Sequence, residues 1–243
     1  CNSLDDIIQP ERAHNSFQSS DLASIISVKV EQFYGSINDK EVEEYTKYWK
    51  SVTPQSDDDI FRRWLFAYTS IHTTWESNVR CYNAIKNFHE WIDDRSLLLD
   101  KLIESKAGLH NNRTESIWNF SRDFFANPKD YIKNENETWV SFRNKLAKKC
   151  KGIGMAKVSF VLEMCFPDKA EVLCIDTHML RLYDLKLQKF NEGKGQIVYQ
   201  QAEQDWVERA KTLGASPYIA RCIFWDRVQK EPDSRYWSYV LEG

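Results

Sequence analysis

Between two stretches of helical spacing the chain reads Lys151-Gly152-Ile153-Gly154, and this tight glycine turn restricts the fold more than any other feature. Two glycines flanking one apolar residue let a helix end, reverse and restart within a few residues. They also leave backbone N–H groups unobstructed at the start of the next helix, a geometry that binds a phosphate oxygen. Lys148, Lys149, Lys151 and Lys157 surround the turn and make it locally positive. A G-x-G turn taken alone is equally an ordinary helix–turn–helix corner with glycine in left-handed geometry.

The second half of this run adds a carboxylate. A helix expected from Met155 to about Phe166 is followed by an apolar, strand-like piece, 172–175, and then by Asp176-Thr177 opening another helix. Asp176 is thus held at the end of a rigid element. It reads as an N-cap worth about 1 kcal/mol, and that role is compatible with chemistry. A phosphate nest beside a positioned carboxylate points to chemistry near a nucleic-acid backbone.

The rest of the chain reads as helix after helix. Apolar residues recur at helical spacing over 21–51, and Thr53-Pro54 breaks the pattern. Ser56 followed by three aspartates is a strong helix start, because acids complement the positive N-terminal dipole. Helices are expected over 58–70, 75–91, 96–105, 114–126 and 137–150, and two or three more follow a polar loop at 186–196. With only 8 Gly and 6 Pro in 243 residues, tight turns are few and elements long. The expected class is all-α. Hydrophobic residues at 42% and charged residues at 28% mark a chain that buries a core.

One pattern now becomes specific. The run KGIGMAKVSFVLEM…VLCIDTHMLRLY resembles the signature of the helix-hairpin-helix (HhH-GPD) DNA glycosylases: a G-[VI]-G hairpin, an apolar helix, then V-D-T-H before another helix. Endonuclease III and 8-oxoguanine glycosylase belong to this superfamily. Upstream, IFRRWLFAYTSIHTT (60–74) is similar to its first core helix, which ends in S-x-Q-x-T, and GLHNNRTESI (108–117) to its G-L-[YR]-N-x-[KR]-A segment. The matches keep one order over about 57–185.

The resemblance implies an all-helical, two-lobed protein with its active site in the cleft between lobes. The implied division is a polar segment 1–20, N-terminal helices 21–56 packing with the C-terminal lobe, a core 57–185 containing the hairpin 150–157, and C-terminal helices 186–243. The hairpin would hold a DNA phosphate through Lys151, Gly152, Gly154, Met155 and Lys157, with a K⁺ or Na⁺ at the backbone of Lys151, Gly152 and Gly154. The target nucleotide would be flipped into a pocket, for which Phe160 and Trp225 are stacking candidates and equally plain core residues. His72 falls where the family fills the gap left by the base, and reads equally as a surface histidine. Asp176 would stabilise the oxocarbenium-like sugar or orient a water.

The departures matter as much. Bifunctional members carry a Schiff-base lysine two positions after the second glycine; here that position is Ala156, and lysine comes one step later, at Lys157. Anchoring on the glycines preserves the helix's apolar spacing and gives a monofunctional enzyme. Anchoring on Lys157 reproduces the lysine-to-aspartate interval of 8-oxoguanine glycosylase but needs one extra hairpin residue, and makes the chain a glycosylase/lyase. The glycine register is the expectation. A non-catalytic DNA-binding module that kept the hairpin is the remaining alternative.

Six cysteines, at 1, 81, 150, 165, 174 and 222, form no C-x-x-C pair, and a C-terminal region with Cys222 alone has no iron–sulfur ligand set. No required cofactor is expected, and His178 reads as a structural position rather than a metal ligand. The expected partner is double-stranded DNA carrying a damaged or modified base. The net charge of −3 counts against a broad nucleic-acid surface but not against a local basic cluster. A monomer, no membrane segment, no signal peptide and a reducing intracellular setting complete the expectation; the identity of the base stays open, hypermodified pyrimidines included.

Overall fold

The structure, a computed structural model, describes residues 28–230. The polar segment 1–20, the apolar residues expected to open a helix at 22–26 and the aromatic tail at 236–239 lie outside them.

Eleven helices are described: α1 (28–35), α2 (Asp39–Ser51), α3 (Asp57–Thr69), α4 (Trp75–Ile85), α5 (Arg95–Glu104), α6 (His110–Ala126), α7 (Trp139–Lys149), α8 (Met155–Cys165), α9 (Thr177–Leu182), α10 (Gly193–Leu213) and α11 (Pro217–Gln229). Single 3₁₀ turns occupy Phe88–Glu90 and Pro128–Tyr131. There is no strand among the described residues. None of the described helices is long and apolar enough to cross a membrane.

The start of α3 follows its sequence signal. Ser56 caps the helix by accepting from the Asp59 amide at 3.2 Å, and Asp57, Asp58 and Asp59 fill the first turn. From Arg63 to Thr69 every residue of α3 is buried, as befits a helix packed on all sides. Its aromatic face stacks Phe61 on Phe120 at 5.6 Å and Trp64 beside the same ring at 4.9 Å. At its C-terminus the buried Arg113 donates to the carbonyls of Tyr68, Thr69 and Ile71, the last at 2.8 Å. This guanidinium fixes the turn between α3 and α4.

Three expected boundaries move, one of them at α10, which begins at Gly193 inside the loop expected over 186–196. The single helix expected over 75–91 stops at Ile85, because the buried Trp91 turns back and its indole N–H donates to the Ile85 carbonyl at 2.8 Å. Helix α6 starts four residues early, at His110, from a Leu109 with φ of 52°.

The helices form two lobes. In one, α3 packs against α4, α6 and α8, with α5 and α7 alongside. In the other, the first helices return to the end of the chain: α2 packs on α11, and α10 on α11. Phe33 stacks on Trp206 at 5.6 Å, Tyr34 donates to the Trp206 carbonyl at 3.1 Å, and Arg227 pairs with Glu41 at 3.0 Å. Buried apolar side chains from both lobes join in one continuous core.

Candidate active site

Asp176 is delivered by an unusual piece of backbone. Residues 172–175 are extended, as the apolar run suggests, but no strand lies beside them. Side chains satisfy their N–H groups instead. The Leu173 amide donates to Glu203 at 2.8 Å, the Cys174 amide to Glu163 at 2.9 Å and the Ile175 amide to the Tyr199 hydroxyl at 3.1 Å. Tyr199 in turn donates to the Leu173 carbonyl. Both carboxylates are fully buried. A buried amide without an acceptor would cost about 1–3 kcal/mol, so these side chains do for the segment what a neighbouring strand's carbonyls would otherwise do.

The next residue, Asp176, caps α9. Its Oδ1 accepts from the Met179 amide at 2.9 Å, while Oδ2 lies 3.8 Å from a terminal guanidinium nitrogen of Arg221. The side chain is 27% exposed, so the carboxylate is fixed on one oxygen and open on the other. Arg221, on α11, is buried and donates from Nε to Glu163 at 2.7 Å. Burial pushes the Glu163 carboxyl up, to about 7, with Arg221 pulling the other way.

These groups face a cavity of about 220 Å³ between the two lobes. One wall comes from α3, α4 and their connection, with Phe66, Ser70, Thr73 and Trp75. Lys157 and Phe160 of α8, Asp176, and Arg221 and Trp225 of α11 also line it. Lys157 Nζ and Arg221 Cζ lie 5.9 and 5.5 Å from the Phe160 ring centre, so one aromatic ring is flanked by two cations. Asp176, Lys157, Phe160 and Trp225, singled out in the sequence, therefore share one cavity. Ala156 is half-buried, packs against the core and does not line it.

His72 does not line the cavity. It is exposed, at φ of 49°, in the turn that Arg113 holds, next to the lining residues Thr73 and Thr74.

The hairpin lies outside the cavity lining. Gly152 has φ of +82°, and a Cβ there would come within 2.3 Å of Ser116 Oγ on α6, so both backbone geometry and close approach require glycine. Gly154 is the N-cap of α8 and offers no side-chain cap. Asn191, from the loop before α10, supplies it: its Oδ1 accepts from the Met155 amide at 2.8 Å. Among the described residues, no backbone acceptor is engaged by the amides of Gly152, Ile153 and Gly154. Of the surrounding lysines, Lys149 is already paired with Asp123 at 3.1 Å and Asp130 at 2.8 Å, so the basic cluster is smaller than the sequence suggests.

Two of the three carbonyls expected to hold a monovalent cation already accept a hydrogen bond. The Gly154 carbonyl closes the first turn of α8 with the Val158 amide at 3.0 Å and is directed along the helix, and the Lys151 carbonyl accepts from Tyr68 at 3.4 Å. The Gly152 carbonyl accepts no backbone hydrogen bond among the described residues. No group of three or more His, Cys, Asp or Glu side chains among the described residues is placed to hold a metal. His178 Nε2 lies 2.8 Å from the side-chain nitrogen of Gln229.

Four of these residues escape a sequence reading: Arg221, Glu163, Glu203 and Asn191. Only Glu163 carries a signal, as a lone charge inside the apolar run VLEMCF.

Comparison with known proteins bears on the same architecture. A search of curated proteins finds no match. Three solved structures are similar in fold. The 8-oxoguanine DNA glycosylase of Methanocaldococcus jannaschii is 21% identical, with a TM-score of 0.60, over 90% of this chain and 98% of that one. The same organism's 8-oxoguanine glycosylase/lyase, in complex with a 15mer DNA containing 8-oxoguanine, is 22% identical with a TM-score of 0.62, over 85% and 98%. The 8-oxoguanine DNA glycosylase of Thermotoga maritima is 21% identical with a TM-score of 0.58, over 88% and 97%. At these identities the likeness establishes the fold. The family itself rests on sequence: residues 38–215 match the helix-hairpin-helix family described as 8-oxoguanine DNA glycosylase. The chain belongs to that family and is a DNA glycosylase of its type.

Proposed function

We propose that this protein removes 8-oxoguanine from duplex DNA, with Asp176 as the carboxylate at the reaction centre and Lys157 as an amine nucleophile. The observation that carries this reading is that Lys157 and Asp176 line the same interlobe cavity, whereas Ala156 does not. The family match and the DNA-bound relative described as a glycosylase/lyase support the substrate.

The damaged nucleotide is extruded from the stack into the cavity, where Phe160 and Trp225 offer aromatic faces to the base. The free amine of Lys157 attacks C1′ of the deoxyribose. The bond between C1′ and the base breaks, its electron pair leaves with the base, and the base takes up the proton that Nζ gives up as it bonds to C1′. Asp176, fixed through Oδ1, turns Oδ2 toward the positive charge that develops on the sugar. Ring opening yields a Schiff base between Nζ and C1′. Loss of a 2′ proton then expels the 3′ phosphate and cuts the strand.

Outside the cavity, the amides of Gly152 and Gly154 and the Lys151 ammonium hold a backbone phosphate. His72, at the exposed tip of the α3–α4 turn, fills the space that the base vacates.

A water-driven, monofunctional reaction is the second reading, favoured by Ala156 at the position two residues after the second hairpin glycine. Borohydride trapping separates the two. The first reading expects a covalent protein–DNA adduct that disappears in Lys157→Ala, with base release abolished in Asp176→Asn while DNA binding persists. Base release by wild type with no trapped adduct would establish the second. Full activity in Asp176→Asn would remove the carboxylate from the chemistry altogether.

A further inference from the structure

The cavity contains a buried cation whose hydrogen-bonding capacity is largely unused. Arg221 has a side chain only 7% exposed. Its Nε donates to Glu163, and this is the sole hydrogen bond it makes among the described residues. A guanidinium carries five N–H donors in a rigid fork and no acceptor. The four donors on its terminal nitrogens therefore lack an acceptor among the described residues. The nearest carboxylate oxygen, Asp176 Oδ2, is 3.8 Å away, which is beyond hydrogen-bond range.

Leaving such donors unmet inside a protein is costly, and here they open onto the cavity. Glu163 prevents the side chain from swinging out to water. That carboxylate is itself clamped by the Cys174 amide, two residues before Asp176. The guanidinium is also braced against the rings of Phe160 and Tyr218, at 5.5 and 5.4 Å. The fork is thus rigid, positive and directed at the space a flipped base enters.

We propose that Arg221 is a specificity-determining residue that donates to a carbonyl oxygen on the edge of the extruded base. This rests on the glycosylase reading above and deepens it. A donor-only group accepts a keto edge and rejects an amino edge, because an exocyclic N–H₂ facing it leaves two donors opposed. The pocket therefore favours an oxopurine over an aminopurine. A purely structural role, in which Arg221 only neutralises Glu163, predicts no such preference.

The test compares wild type with Arg221→Lys, which keeps the charge and loses the fork. The double variant Arg221→Gln/Glu163→Gln, which leaves no uncompensated buried charge, guards against misfolding of the single change. Binding is measured to duplexes carrying 8-oxoguanine, 8-oxoadenine (no 6-carbonyl) or hypoxanthine (no 8-carbonyl), each on a 2′-fluorinated sugar that resists cleavage. The expected result is an uneven loss. 8-Oxoguanine weakens at least tenfold more than the analogue that lacks the contacted carbonyl. An equal loss for all three bases, or none, would overturn the proposal and leave Arg221 a structural partner of Glu163. Release of 8-oxoguanine by wild type from an ordinary duplex is measured in parallel. Its absence would sink the glycosylase reading and this inference with it, whereas release with an even loss would sink the inference alone.

Discussion

Arg143 and Glu203 form a two-pronged ion pair, with N···O distances of 2.6 and 2.7 Å, and neither side chain reaches solvent. Arg143 also donates to Ser159 of α8 at 2.7 Å, and Glu203 accepts from the Leu173 amide. One buried pair on α7 and α10 therefore fastens both α8, which carries Lys157, and the segment that delivers Asp176. Breaking such a pair from one side strands a buried charge, at about 3–5 kcal/mol. Arg143→Met is expected to cost that much in urea denaturation. Arg143→Met/Glu203→Gln is expected to be less damaging, since no charge is stranded and Leu173 keeps an acceptor. A double variant as unstable as the single one would contradict this account.

Asn191 caps α8 from a distant loop, and its contribution divides into stability and charge. Asn191→Ala frees the Met155 amide and is expected to cost about 1 kcal/mol, the usual worth of a lost cap. Asn191→Asp keeps an acceptor for the amide but brings a negative charge to the hairpin. Thermal stability should hold while affinity for duplex DNA falls, most strongly at low salt. An affinity loss independent of salt would argue against a phosphate at the hairpin.

Gly152 is required twice, by its φ of +82° and by the proximity of Ser116. Gly152→Ala is expected to destabilise the protein by at least the ~1–2 kcal/mol of a left-handed alanine. Adding Ser116→Ala removes the closer of the two clashes and should restore part of the loss, not all. Equal denaturation midpoints for the single and double variants would show that α6 does not press on the hairpin.

Asp123, at the base of the hairpin, gives the protein an acid-sensitive component. Burial opposes its charge, but hydrogen bonds from Tyr131, Lys149 and Asn127 together hold the carboxyl below its ordinary value. A lowered folded-state value means that the unfolded chain binds the proton first. The contribution is therefore complete above the ordinary carboxylate range and is lost as pH falls through the folded value. Melting temperatures from roughly pH 6 to pH 3 should fall less steeply in Asp123→Asn than in wild type. Parallel curves would assign the acid sensitivity elsewhere.

Much of this protein was legible locally. Ser56 and three aspartates announce the start of α3, and the structure opens the helix there. The glycines of 152–154 announce a reversal, and Gly152 takes the left-handed geometry that only glycine adopts freely. Asp176 before Thr177 announces a cap, and Asp176 caps α9. In each case the signal and its physical cause lie within a few residues of one another.

The tertiary structure alone decided the rest, because the partners are far apart along the chain. The apolar run 172–175 looks like a strand, yet its amides are met by Glu203, Glu163 and Tyr199 from two helices. Lys157 and Ala156 are adjacent, and only the packing of α8 turns one toward the cavity and the other toward the core. Arg221 reads as a surface arginine on a helix until Glu163, three helices earlier in the chain, holds it inside. Hydrophobic period and capping residues fix where helices begin and end. They do not state which buried charge meets which, since that pairing arises only once the lobes close on each other and exclude water.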